Sequence, residues 1–121
     1  MIKQRELALL IQKGMEEENV TESESCFFED VFGNFYVCAL GAALVGRFGS
    51  ARKAYVRVEA EREVHVELES RGLSLSPGYV DIAANLLDID FDLAEAIDKT
   101  HMLGASAMSI TQRLGEGTFP Y

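Results

Sequence analysis

The sequence predicts an α+β domain of four or five helices with one antiparallel β-hairpin. Near both ends of the chain, apolar residues recur at helical spacing, and this spacing predicts the helices. Between them, residues 54–69 alternate apolar and charged side chains, a period of two that favours strands. An all-α bundle is the alternative, because Glu, Ala and Arg within 54–69 also favour a helix. The 121 residues suit a single domain, 1–121.

The first part of the chain predicts two helices separated by a polar connection. Apolar residues at helical spacing predict an amphipathic helix over 2–16, and the Glu- and Ser-rich residues 17–30 predict a surface connection. Residues 36–48 are almost wholly apolar and predict a buried central helix. Within it Ala42 and Gly46 lie four apart, so we expect another backbone to approach this helix closely.

The alternating segment 54–69 predicts two strands that turn at residues 61–63. This register places Val58 opposite Val66 on one apolar face. A two-stranded ribbon leaves unpaired backbone groups along its outer edges. Because two ribbons could pair these edges about a two-fold axis, the sequence predicts a homodimer.

The C-terminal third predicts three further helices. Ser76 and Pro77 suit the start of the first, since proline at the first helical position loses no hydrogen bond. Asp92 and Glu95 have the spacing of a capping box at the start of the second. Gly115 is expected to end the third.

The chain is acidic, with a net charge of −9 from 20 acidic and 11 basic residues. Acids without any base fill two segments, 16–30 and 81–98. Such a chain repels phosphate, so nucleic acid is not an expected partner. The same acids could attract a cationic protein partner, or they could serve only to keep the chain in solution.

Several features predict a cytoplasmic protein. The first residues lack the apolar core and cleavage site of a signal peptide. No apolar run reaches the roughly 18–20 residues of a membrane span, so no membrane association is expected. Cys26 and Cys38 form neither a CxxC pair nor a disulfide framework, and we expect them to be reduced.

Cys38 and His101 are the candidate catalytic residues, although no catalytic residue is assigned. A thiol near the start of a helix can have a lowered pKa and act as a nucleophile, with a histidine as its base. The alternative is an inert buried cysteine, as expected inside an apolar segment.

Asp98 and His101 are the candidate metal ligands, because they share one helix face at spacing i, i+3. Two ligands are too few for a metal site, and no partner pair of similar spacing occurs elsewhere. The sequence therefore predicts neither a metal nor a cofactor.

The residues Asp30-Val31-Phe32-Gly33, followed by Cys38-Ala39-Leu40-Gly41-Ala42, resemble a signature of small bacterial domains of unknown function. In that group a Cys-Ala-Leu-Gly-Ala helix follows an N-terminal helix and a D-x-x-G turn. The resemblance implies a largely helical domain and implies no known activity.

Three functions are open at this point. The first is a non-enzymatic protein-interaction or accessory module. The second is a small thiol-dependent hydrolase or transferase that uses Cys38. The third is an acidic decoy for a cationic partner, which depends on the two acidic segments.

Overall fold

The structure is a computed structural model that describes residues 1–24, 27–72 and 78–121. For Glu69 it describes the backbone but not the side chain. These ranges hold six helices and three short strands, so the predicted α+β class is confirmed, with one helix more than expected. The helices are α1 (Gln4–Met15), α2 (Ala39–Phe48), α3 (Ala51–Ser70), α4 (Tyr79–Leu87), α5 (Phe91–Met102) and α6 (Ala107–Gly115). The strands are β1 (Val20–Glu22), β2 (Phe28–Val31) and β3 (Asn34–Val37).

The strands form one mixed sheet in the order β1-β3-β2. β2 and β3 make a tight antiparallel hairpin, and β1 pairs in parallel with β3. In the turn of the hairpin, the Gly33 amide donates to Oδ1 of Asp30 at 2.9 Å, and Gly33 has a φ of 86° that favours glycine. The polar segment 17–30, expected to be a surface connection, therefore supplies β1 and most of β2.

Helices α1 and α2 cross at two glycines. A Cβ on Gly14 would overlap the carbonyl oxygen of Ala42, and a Cβ on Gly46 would overlap that of Leu10. Only glycine therefore permits this approach at either position. The expected close approach of a second backbone to the apolar helix is confirmed, and every residue of α2 from Ala39 to Gly46 is buried.

Residues 54–69 are helical and belong to α3, so the predicted hairpin and its register are wrong. Ala54 and Val58 are buried, whereas Val56 and Val66 are 57% and 64% exposed. Because much of the α3 surface is exposed, its apolar residues are not confined to one face, and their alternation did not indicate a strand. The helix-forming Ala, Glu and Arg residues decide the structure instead. The hairpin edges that led us to predict a dimer do not exist.

The three C-terminal helices are confirmed as α4, α5 and α6. Asp90, rather than Asp92, caps α5, and its side chain accepts a hydrogen bond from the Asp92 amide at 2.7 Å. Ser106 caps α6 in the same way. The predicted cap at Ser76 and Pro77 lies outside the described residues.

Most core residues belong to the packed helices, and a cluster of aromatic rings joins the sheet to α3. Phe28 and Phe35 are almost fully buried and meet edge to face, with ring centroids 5.9 Å apart. Tyr55 of α3 packs on both rings, and the Arg52 guanidinium covers Phe35 while it pairs with Asp30 at 3.1 Å. The first half of α3 is thereby fixed to the hairpin. None of the described helices combines the length and apolarity needed to cross a membrane.

Candidate functional site

A pocket with a volume of about 270 Å³ opens where the start of α2 meets β2, α4 and α5. Cys38 is the N-cap of α2, Tyr79 begins α4, and Asp98 projects from α5. We call this cavity the Tyr79 pocket. The described residues that line it are Glu24, Phe27, Phe28, Glu29, Cys38, Arg62, Tyr79, Asp98 and Met102.

The thiol of Cys38 is free and buried, as the apolar sequence around it predicted. Burial raises the pKa of this thiol to about 11, and the negative charge of Asp98 acts in the same direction. Hydrogen bonds from the backbone at Gly41 and Leu40 lower the pKa, as expected at the start of a helix, but burial outweighs them. At neutral pH the thiol is therefore protonated, and a protonated thiol is a poor nucleophile.

Tyr79 and Asp98 form the polar contact at the centre of the pocket. The Tyr79 hydroxyl lies 3.0 Å and 2.9 Å from the two carboxylate oxygens of Asp98, and it donates to them. Partial burial of Tyr79, which is 37% exposed, followed by the hydrogen bond and charge of Asp98, raises its pKa to about 12. The Tyr79 ring stacks on Phe27 with centroids 5.2 Å apart. The hydroxyl therefore stays a donor at all ordinary pH values.

Asp98 is only 9% exposed, and within the described residues no Lys, Arg or His forms an ion pair with it. The basic residue of the pocket lining, Arg62, pairs with Glu59 instead. The Arg62 guanidinium lies 5.8 Å from the centroid of the Phe27 ring. The pocket therefore contains a buried carboxylate whose only described partner is a tyrosine hydroxyl.

His101 takes part in a different contact. Its Nε2 lies 2.9 Å from Oε2 of Glu22, and the same oxygen accepts a hydrogen bond from the Ala107 amide at 3.0 Å. Nδ1 of His101 has no hydrogen-bond partner among the described residues. No hydrogen bond joins His101 to Cys38, so the structure does not assemble these two candidates into a nucleophile and base.

The candidate metal ligands are also separated by their partners, since Asp98 contacts Tyr79 and His101 contacts Glu22. In the described part of the chain, no group of three or more His, Cys, Asp or Glu residues could hold a metal ion. Sequence reasoning had paired Asp98 with His101 because they share a helix face. Their actual partners, Tyr79 and Glu22, lie on other elements, and no spacing in the sequence indicates them.

A second feature of interest is the exposed face of α3. We define the α3 outer face as seven of the exposed residues of α3, which recur at successive helical turns along one side of the helix. These are Lys53, Val56, Arg57, Ala60, Glu63, Val64 and Glu67. Basic residues occupy its first half and acidic residues its second half, with Val56, Ala60 and Val64 between them.

The basic end of this face adjoins an open groove of about 400 Å³. Phe48 and Val56 give the groove apolar surface, and the Arg57 guanidinium lies 5.3 Å from the centroid of the Phe48 ring. No family model, curated protein or solved structure matches this chain. What the protein does is therefore inferred from the pocket and from this face.

Proposed function

We propose that the protein is a non-enzymatic interaction module that forms a homodimer through the α3 outer face. The observation that carries this proposal is the charge order of the face, which is basic at one end and acidic at the other. A surface of this kind is complementary to itself when two copies meet in opposite directions. The protonated thiol of Cys38 and the separate partner of His101 argue against a thiol enzyme.

An antiparallel pairing centred on Ala60 gives a specific register. Lys53 of one copy then faces Glu67 of the other, and Val56 faces Val64. Arg57 of one copy likewise faces Glu63 of the other. Each contact occurs twice because a two-fold axis repeats it.

The apolar part of the face supports this register. Val56 and Val64 are 57% and 52% exposed in the single chain, and contact with a second copy would cover both. Ala60 at the centre has a small side chain that lets two helices approach closely. Residues 53, 56, 60, 63 and 67 are separated alternately by three and four positions, so they share one face of α3, with the apolar Val56 and Ala60 among them.

The size of the contact sets its strength. A 20-residue helix is about 30 Å long. A single pair of such helices is expected to bury less than the roughly 1,200–2,000 Å² of a stable interface. We therefore expect a reversible dimer whose population rises with protein concentration.

Sedimentation analysis over a range of concentrations tests the proposal with charge-reversed variants. Lys53→Glu and Glu67→Lys should each be monomeric, because each places two pairs of like charges across the seam. When the two variants are mixed, the opposite charges meet again, and the mixture should form a heterodimer. The double variant should dimerise by itself.

Lys3→Glu is the matched control, since Lys3 is exposed at the start of α1 and is not part of the α3 outer face. This variant should dimerise like the unchanged protein. A monomer at all concentrations for the unchanged chain would contradict the proposal. A dimer that survives Lys53→Glu and Glu67→Lys separately would show that another surface is used.

Dimerisation of this kind would also change the charge that the protein presents to others. The seam would cover Lys53 and Arg57, which are part of the most basic stretch of the chain. The acidic segments 16–30 and 81–98 would stay outside the seam. A cationic protein partner for these segments remains a prediction.

A further inference from the structure

Among the described residues, the buried carboxylate of Asp98 has only the Tyr79 hydroxyl as a hydrogen-bond partner. A carboxylate has about four positions at which it can accept a hydrogen bond. The Tyr79 hydroxyl has one hydrogen to donate, shared between the two oxygens. Buried acidic side chains are rarely left without a counter-charge, because desolvation of an unpaired ion is costly. Among the described residues Asp98 lacks this counter-charge, and its side chain lines an open pocket.

The remaining lining of the Tyr79 pocket favours a positive ligand. Glu24 and Glu29 are exposed acids of the lining, and Arg62, its one base among the described residues, is neutralised by Glu59. An anionic ligand in this pocket would face the carboxylates of Asp98, Glu24 and Glu29. A cation would be attracted by all of them.

We propose that the Tyr79 pocket binds a small organic cation through a primary ammonium group. The ammonium carries three donors and can supply both the charge and the hydrogen bonds that Asp98 lacks. The walls beside Asp98 are apolar side chains, Phe27, Phe28 and Met102, and they suit a short hydrocarbon tail. The volume of about 270 Å³ favours a compact ligand.

A metal ion fits the pocket less well than an amine. Hard divalent cations take six or more oxygen ligands, usually from several carboxylates and carbonyls. No described cluster of three potential ligands surrounds Asp98. The aromatic and thioether walls also favour an organic group over a hydrated ion.

Amide chemical shifts measured during titration with n-butylammonium chloride test the proposal. We expect saturable shifts at Cys38, Tyr79 and Asp98, with a dissociation constant in the millimolar range for so small a probe. The neutral analogue 1-butanol should give no saturable shift at the same concentrations. Asp98→Asn should weaken n-butylammonium binding by about tenfold or more, because it removes the charge that pairs with the ammonium.

Glu95→Gln is the matched control. Glu95 lies one turn before Asp98 on α5 but outside the Tyr79 pocket, so the same loss of charge there should leave the affinity unchanged. Equal affinities for Asp98→Asn and the unchanged protein would overturn the proposal. Equal binding of 1-butanol, or no saturable shift with n-butylammonium, would also overturn it.

Met102→Lys gives an independent test that does not need Asp98 to be changed. The Met102 sulfur lies 3.9 Å from the Tyr79 hydroxyl, and the residue is 60% exposed, so a longer side chain can be accommodated. Its ammonium would reach Asp98 from within the chain. We expect this variant to melt at a higher temperature and to lose n-butylammonium binding. Unchanged binding of n-butylammonium in this variant would contradict the assigned site.

Discussion

Nε2 of His101 lies 2.9 Å from Oε2 of Glu22, and this contact holds β1 against α5. The same Glu22 oxygen accepts from the amide of Ala107, the first residue of α6. A carboxylate at the start of a helix is stabilised by the helix dipole. One side chain of a three-residue strand therefore fixes two helices.

Glu22→Ala should lower the free energy of unfolding by about 2–3 kcal/mol, because it leaves His101 and the Ala107 amide without their acceptor. Glu22→Gln keeps an acceptor oxygen and should cost about 1 kcal/mol. Urea unfolding followed by circular dichroism measures both. Glu18→Ala is the control, since Glu18 is exposed, and it should change stability little. Equal losses for all three variants would contradict the assigned role.

The two glycines of the α1–α2 crossing and Gly115 of α6 should respond differently to the same substitution. Gly14→Ala and Gly46→Ala should each destabilise the fold by about 2–4 kcal/mol or prevent folding, because the new Cβ overlaps a backbone carbonyl. Gly115→Ala should be neutral or stabilise by up to about 1 kcal/mol, since Gly115 is helical and a Cβ added there would lie 4.0 Å from the Cβ of Ala8, an ordinary contact. Thermal melting curves of the three variants check this contrast.

Alkaline pH should destabilise the protein through Cys38 and Tyr79. Their pKa values rise from 9.0 to about 11 and from 10.0 to about 12 on folding. Each group therefore binds its proton more tightly in the folded state, and the stability this provides is complete below the unfolded value and lost as pH rises through the folded value. We expect the free energy of unfolding to fall between about pH 9 and 12. Cys38→Ser should flatten the lower part of this fall.

The reactivity of Cys38 gives a direct measure of the same shift. In a Cys26→Ser background, alkylation of the native protein should be very slow at pH 8 and should rise only towards pH 11. Unfolding in urea should bring the reactivity back to that of an ordinary thiol. Rapid alkylation of the native protein near neutral pH would instead indicate an activated nucleophile.

Asp98→Asn should stabilise the protein in the absence of any ligand, by about 1 kcal/mol. The substitution removes a buried charge without a described counter-ion, and that charge lies in the second half of α5, where the helix dipole is unfavourable to it. The Tyr79 hydroxyl keeps an acceptor in the asparagine oxygen. A clear loss of melting temperature would show that Asp98 serves to hold the fold together.

The sequence was sufficient for helices whose apolar residues either recur at helical spacing or form a continuous run. The spacing of Leu7 and Ile11 predicted α1, and the apolar run predicted a buried α2, although Tyr36 and Val37 belong to β3. The strands were missed because three or four residues are too few to show an alternation. In residues 54–69 apolar and charged side chains alternate although the segment is helical. The expected turn at 61–63 has no Gly, Asn or Asp, and this absence indicated that the segment is not a hairpin.

The candidate site was predictable only as separate residues. Cys38, Asp98 and His101 were named from the sequence, and the burial of Cys38 followed from its apolar neighbours. Which of them meet depends on how α4, α5 and β1 pack, and pairs such as Tyr79 with Asp98 span 19 residues or more. Tertiary contacts of this kind leave no local pattern.

The order of charges along α3 also opposes the dipole of that helix. Its first turn contains no acid and its last turn no base, which is the reverse of the favourable arrangement. Salt screens the unfavourable interaction between these charges and the helix dipole. Added salt should therefore stabilise the second half of α3 and slow its amide exchange. Pairs such as Glu67 with Arg71 offset only part of the cost. A second copy that placed opposite charges at both ends would order α3 as it bound, which would make association and helix formation one coupled equilibrium.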